Sequence, residues 1–153
     1  MFQLFKRKAS EFFSNQDKEK IVDSIKKAEL ETSGEVRVYI ESNCSDAIAL
    51  DRAVALFHQL EMNKTSERNG VLVYIALKDR KLAVYADEGI YQKVGKEFWE
   101  QQIANMIQHF NKKNYADGIA AIVTEIGNVL QHHFPYNKQT DINELPDDIV
   151  FGK

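Results

Sequence analysis

Acidic side chains lie at the predicted ends of the strands, where they could bind a metal ion. Glu35 begins the first predicted strand, and Asp87 and Glu88 follow the last one, which returns from a hairpin. Because a hairpin brings the chain back to the edge at which it began, we expect these three side chains at the same edge of the sheet. Carboxylate oxygens are the ligands that hard divalent ions prefer. Glu35, Asp87 and Glu88 could therefore bind a hard divalent ion.

A second acidic group is predicted at the opposite edge of the sheet. Glu41 ends the first strand, Asp46 follows it, and Asp79 lies in the hairpin turn. The parallel strands end at this edge, which is the usual ligand crevice of open α/β sheets. Glu41, Asp46 and Asp79 could bind such an ion as well. Neither group has the spacing of an EF-hand loop, so ordinary solvated strand ends are the alternative interpretation of both.

Basic side chains near the hairpin suggest a different chemistry, the binding of an anion. They are Arg68, Lys78, Arg80 and Lys81. The last three lie in a predicted turn, where solvated side chains are the alternative. Cys44 lies in a polar loop just after a strand. It is either a reactive thiol or, since no histidine or arginine is near it in sequence, a half-buried structural residue.

The common signatures of catalysis are not found in the sequence. Gly89 and the Gly95-Lys96 pair are one residue too far apart for a phosphate-binding P-loop, and Glu97 stands where a hydroxyl would hold magnesium. A thiol phosphatase needs an arginine six residues after its cysteine, and Leu50 occupies that position. The histidines lack the spacing of zinc ligands. We therefore assign no catalytic residue and no zinc site.

Periodicity and turn residues predict the elements that position these groups. In order, they are a helix from Ser14 or Asp17 to about Glu31, a strand over 35–41, a helix over about 46–62, strands over 70–77 and 82–86, and helices around 98–110 and 119–130. The order α-β-α-β-β-α-α predicts an α/β fold, a three-layer α/β/α sandwich with a small mixed sheet. The nearly unbroken apolar run after Gly70 predicts a central strand that is covered on both faces.

The composition is that of a single soluble domain. The chain has 153 residues, of which 44% are apolar and 28% charged, and its 20 basic and 23 acidic residues give a net charge of −3. This balance lacks the basic footprint of a protein that binds nucleic acid. One cysteine, no secretory leader and no run of about 18 apolar residues indicate a cytoplasmic protein without an integral membrane segment. We expect a monomer.

Both ends of the chain are expected to pack on this domain, which we place at residues 1–133 with a tail over 134–153. Residues 2–13 combine aromatic side chains with a basic patch and predict a docking segment, with a basic anchor at a membrane surface as the alternative. The tail is acidic but carries enough apolar residues to dock. A peptide that binds a partner protein is the alternative interpretation of the tail.

Three short motifs together resemble those of the TPM domain family, which includes a thylakoid-lumen acid phosphatase and a photosystem II repair factor. They are Thr32–Val38, Arg68–Val73, and the segment from Asp79-Arg80-Lys81 to Gly89. The resemblance covers about residues 17–131. It implies an α/β/α sandwich, calcium or magnesium bound at the edge of the sandwich in some members, and phosphatase activity in others.

Two departures from the family pattern concern the implied metal site. Arg68 stands where members commonly carry an acidic residue before Asn-Gly, and Ala86-Asp87-Glu88 replaces a glycine-rich strand end. The first change removes a possible ligand and the second adds two. The resemblance therefore makes Glu35, Asp87 and Glu88 our first choice for a calcium or magnesium site, and Glu41, Asp46 and Asp79 our second. Our leading hypothesis is a non-catalytic, soluble TPM domain that binds calcium or magnesium and interacts with an unidentified protein. The alternative is a weak metal-dependent acid phosphatase, in which Arg80 or Arg68 stabilises negative charge.

Overall fold

A four-stranded mixed sheet forms the centre of the fold in a computed structural model that describes residues 8–136 and 148–152. The strands are β1 (Glu35–Glu41), β2 (Gly70–Ala76), β3 (Lys81–Ala86) and β4 (Val150–Phe151). Their spatial order is β3-β2-β1-β4; β1 is parallel to β2 and β4, and β3 is antiparallel to β2. Every residue of β2 is buried, as its apolar run predicts.

Helices cover both faces of the sheet and make the three layers that the sequence predicts. They are α1 (Ala9–Phe12), α2 (Asn15–Leu30), α3 (Ala49–Gln59), α4 (Glu88–Val94), α5 (Lys96–Asn111) and α6 (Tyr115–His133). The larger core lies between the sheet and α1, α2, α4, α5 and α6, and the smaller core lies beneath α3. Ser14 caps α2 by accepting a hydrogen bond from the Asp17 backbone N–H at 3.0 Å. The α/β/α sandwich is thus confirmed.

Two short elements near the candidate sites were not predicted, α4 and β4. Asp87 caps α4 by accepting the Glu88 backbone N–H at 2.8 Å, so the chain enters a helix directly after β3. Strand β4 has two residues, and only its ladder with Tyr39 and Ile40 of β1 makes it a strand. Elements this short carry no measurable periodicity, because two helical turns or one alternation are too few residues to define a pattern.

The described parts of both ends lie against the domain. Phe13 is buried, and the Phe12 ring contacts Tyr115 with the ring centres 5.2 Å apart. Phe134 and Ile149 are buried in the larger core. Predictions for residues 1–7 and 137–147, which include most of the basic patch and of the acidic tail, lie outside the described residues. In the described ranges, we find no helix that is both long and apolar enough to cross a bilayer.

Candidate functional site

An ion pair between Arg68 and Asp87 dominates the edge at which β1 and β2 begin. The Arg68 guanidinium donates from Nε to Asp87 Oδ2 at 2.7 Å and from Nη2 to Oδ1 at 2.9 Å. Its Nη1 lies 3.3 Å from Oε1 of Glu88. The Asp87 side chain is 1% exposed, whereas that of Arg68 is 43% exposed. The hydrogen bonds to Asp87, followed by the charge of that carboxylate, raise the pKa of Arg68.

Close backbone packing holds Arg68 next to Asp87. The Asp87 backbone N–H donates to the Gly70 carbonyl at 2.9 Å and extends the β2–β3 ladder by one pair. A Cβ atom on Gly89 would lie 2.2 Å from the Glu67 carbonyl oxygen and 2.5 Å from that of Arg68. The first turn of α4 therefore rests directly on the loop before β2, which only glycine permits. Arg68 itself adopts a left-handed conformation with φ 52°.

Glu35 lies at the same edge, on the strand next to this pair. It is buried, and its backbone N–H donates to the Asn69 carbonyl at 3.3 Å. Arg37 follows two residues later on β1 and is also buried. Burial lowers the pKa of Arg37, while the charges of Glu29 and Glu35 oppose that shift. Arg68 and Arg37 therefore lie close to the acidic residues that the sequence predicts as metal ligands at this edge.

Glu41 at the opposite edge is also held by an arginine. Arg52 of α3 donates from Nε to Glu41 Oε2 at 3.0 Å and from Nη2 to Oε1 at 3.1 Å. The hydroxyl of Tyr74 donates to the same Oε2. Burial, followed by its hydrogen bond to Glu41, raises the pKa of Tyr74 far above its ordinary value, so the phenol stays protonated. Glu41 is 5% exposed, and it accepts from Arg52 on both oxygens and from Tyr74 on one of them.

Asp79 and Asp46 order the loop after β1. Asp79 accepts the Cys44 backbone N–H at 2.7 Å and the Asn43 side-chain amide at 3.1 Å, and these bonds lower the pKa of its carboxyl. Asp46 contributes its backbone carbonyl, which accepts from Cys44 Sγ and from Lys81 Nζ, each at 3.3 Å. Cys44 is half-buried, as its structural interpretation expects.

As the side chains stand, the acidic residues at the two edges do not fit a metal ion. Throughout residues 8–136 and 148–152, no group of three or more Asp, Glu, His or Cys side chains is arranged to hold one. Guanidinium groups already supply the positive charge at Asp87 and at Glu41. A cation at either edge would have to compete with an arginine. Both predicted metal sites therefore stay predictions.

Sequence reasoning missed both arginine pairs. For the first, a usable signal was present: the hairpin pairs Val71 with Ala86, so the residues that flank the hairpin, Arg68 and Asp87, must lie close together. For the second there was no such signal. Arg52 lies beside Asp51 on an amphipathic helix, and only the crossing of α3 over the sheet brings it to Glu41.

The fold and its edge motifs define the chain as a TPM domain, and comparison with known proteins agrees. The family model described as "TPM domain" matches residues 7–129, so the chain belongs to the TPM domain family. The NMR structure of BA42 protein from the psychrophilic bacterium Bizionia argentinensis is 36% identical. The match covers 91% of this chain and 94% of that one, with a TM-score of 0.82.

A second solved structure shares the fold. The N-terminal domain of a protein from P. gingivalis is 24% identical, with 82% of this chain and 83% of that one covered and a TM-score of 0.65. None of the curated proteins matches the chain significantly. The family and the fold are thus shown.

Proposed function

We propose that this TPM domain is a non-catalytic interaction module that binds a divalent cation, calcium or magnesium, through Asp87 and Glu88. The observation that carries the proposal is the convergence of these two carboxylates on one positive charge, the Arg68 guanidinium. A divalent cation that displaced this guanidinium would meet oxygen ligands from both carboxylates. The cytoplasmic location, the monomeric state and the unidentified protein partner expected from the sequence belong to the same proposal.

The cation competes with Arg68 for Asp87. The carboxylate of Asp87 is buried and fixed, since it also caps α4, whereas the Arg68 side chain is nearly half exposed. Arg68 can therefore move into solvent without opening the core. Two carboxylates supply fewer ligands than a high-affinity calcium site does, and the cation must also displace Arg68. We therefore expect a dissociation constant on the order of millimolar.

A non-catalytic role is supported by the state of the buried carboxylates. Asp87 and Glu41 each accept two hydrogen bonds from an arginine, and a carboxylate held in this way is a poor general base. The phosphatase alternative asks Arg68 or Arg80 to stabilise a phosphate. Arg68 is already neutralised by Asp87, which leaves Arg80 as the residue to test for that activity.

The test is a residue-resolved NMR titration of the metal-free full chain with calcium and then magnesium. We expect localised shifts around Asp87 and Glu88, loss of binding in Asp87→Asn, and tighter binding in Arg68→Gln, by about tenfold. Lys96→Gln is the matched control. It removes one positive charge from an exposed pair on α5, so it should leave cation binding unchanged.

Three other results would change the proposal. Shifts centred on Glu41, Asp46 and Asp79 would move the cation to the opposite edge of the sheet. The absence of shifts at millimolar ion in both the wild type and Arg68→Gln would overturn cation binding. Hydrolysis of p-nitrophenyl phosphate that survives purification and disappears in Arg80→Gln would favour the phosphatase.

A further inference from the structure

A cavity of about 240 Å³ lies where the β2–β3 turn meets the end of α5 and the start of α6. Leu82, Ile107, Phe110 and Tyr115 form an apolar wall. The rings of Phe110 and Tyr115 are in contact, with centres 5.1 Å apart, and Ile107 is 43% exposed. Phe12 packs behind Tyr115 and helps to hold that ring in place. This wall suits a flat or branched apolar group.

The rim of the cavity is basic. Arg80, Lys81 and Lys113 line it, but the Lys81 ammonium donates to the carbonyls of Asp46 and Ala47, at 3.3 and 3.1 Å. Among the described residues, Arg80 and Lys113 take part in no ion pair. Two positive charges at the rim are therefore available to a ligand. A cation next to an apolar wall is the combination that fixes the orientation of a small bound anion.

Arg80 and Lys113 also share an uncommon backbone conformation. Arg80 has φ 54° and Lys113 has φ 62°, both in the left-handed region that glycine adopts at lowest cost. Lys113 follows α5 at the position where glycine usually ends a helix; its N–H donates to the Phe110 carbonyl and that of Asn114 to the His109 carbonyl, each at 2.9 Å. Glycine can therefore replace either residue without backbone strain.

We propose that this cavity binds a small organic carboxylate that carries an aromatic or branched alkyl group. The apolar group lies against Ile107, Phe110 and Tyr115, and the carboxylate accepts charge-assisted hydrogen bonds from Arg80 and Lys113. The site lies apart from the Asp87 edge, where the cation is proposed, and does not depend on it. The positive charge of Arg80 and Lys113 at the rim and the small volume of the cavity together suit a free small anion.

The test compares three probes by NMR titration of the full chain. We expect 3-phenylpropionate to shift resonances of residues 77–82 and 107–115. Its neutral amide should bind at least tenfold more weakly because it loses the charge, and acetate should bind weakly because it lacks the apolar group. Equal binding of acid and amide, or no localised shift by the acid at tens of millimolar, would overturn the proposal.

Glycine variants separate binding from folding. In Arg80→Gly and Lys113→Gly the cation is removed, while glycine suits the left-handed backbone, so both variants should fold. We expect each to weaken binding of 3-phenylpropionate by about tenfold, and the double variant to abolish it. Glu61→Gly is the matched control, because Glu61 has φ 60° far from this cavity, and it should bind the acid normally. Wild-type affinity in the double variant would overturn the role of the two cations.

Discussion

Gly89→Ala is expected to destabilise the protein, although alanine normally stabilises a helix. Replacing a helical glycine with alanine gains about 0.5–1 kcal/mol. The new Cβ atom, however, would meet the carbonyl oxygens of Glu67 and Arg68 at 2.2 and 2.5 Å, where ordinary contacts begin at 3.4 Å. Both oxygens belong to backbone, so α4 or the loop has to move by about an ångström. Such overpacking costs about 1–3 kcal/mol.

The same movement separates Arg68 from Asp87, which adds to the cost. We therefore expect the free energy of unfolding to fall by about 2 kcal/mol and the midpoint of thermal unfolding by about 4–8 °C. Urea unfolding followed by circular dichroism measures the first quantity. Gln92→Ala, at an exposed position of the same helix, is the control and should change stability by less than about 0.5 kcal/mol.

A double-mutant cycle tests whether the ion pair is the part that moves. Arg68→Gln should cost less in the Gly89→Ala background than in the wild type, because the pair is already broken there. A stability for Gly89→Ala equal to or higher than that of the wild type would refute the close packing of α4 on the loop. Additive costs in the cycle would refute the link between that packing and the Arg68–Asp87 pair.

Three further predictions concern other parts of the fold. Tyr74→Phe removes a buried hydrogen bond to a charged carboxylate and should lower the free energy of unfolding by about 1.5–3 kcal/mol, as measured by urea unfolding. Asp79 accepts hydrogen bonds from the Cys44 backbone N–H and from the Asn43 side chain, and both lower the pKa of its carboxyl from the ordinary value of 3.8. The stability that it contributes is present above about pH 4 and lost as the pH falls through the folded-state pKa, so Asp79→Asn should weaken the acid dependence of stability between pH 2 and 5. Gly127→Ala should destabilise the packing of α2 on α6, because its Cβ would lie 2.6 Å from Ala28 Cβ, and Ala28→Gly in the same chain should restore part of the thermal midpoint.

Local patterns in the sequence predicted the long elements of this fold. The strand predicted over 35–41, the apolar run after Gly70 and the Ser14 cap all appear in the structure, in β1, β2 and α2. The alternation along β1 marks a strand but not an exposed face, because Glu35, Arg37 and Glu41 are buried as well. Each of these signals involves residues close together in the chain, so neighbours in sequence suffice to produce it. The four-residue turn before β3 was predictable for the same reason.

Short elements depend on contacts that the local sequence does not contain. Val150–Phe151 is a strand because the open edge of β1 supplies a ladder, which the Gly152 N–H extends to the Ile40 carbonyl at 2.9 Å. Helix α4 has a cap in its own sequence, Asp87, but its first turn is supported by the loop before β2, which comes from elsewhere in the chain. Neither the ladder with β1 nor this support is visible to a pattern of two to seven residues.

In the candidate sites, too, the sequence determined where residues lie in the sheet, and the tertiary structure determined which side chains pair. The sequence by itself placed Glu35, Asp87 and Glu88 at one edge and Glu41 at the other, because strand direction and hairpin register follow from the order of the elements. Hairpin register also brings Arg68 near Asp87, but only the tertiary structure decided that their side chains pair and that Glu41 is shared by Arg52 and Tyr74. Ion pairs form within about 3 Å, and residues from separate elements come that close only through helix crossing, loop packing and rotamer choice, which no spacing along the chain encodes.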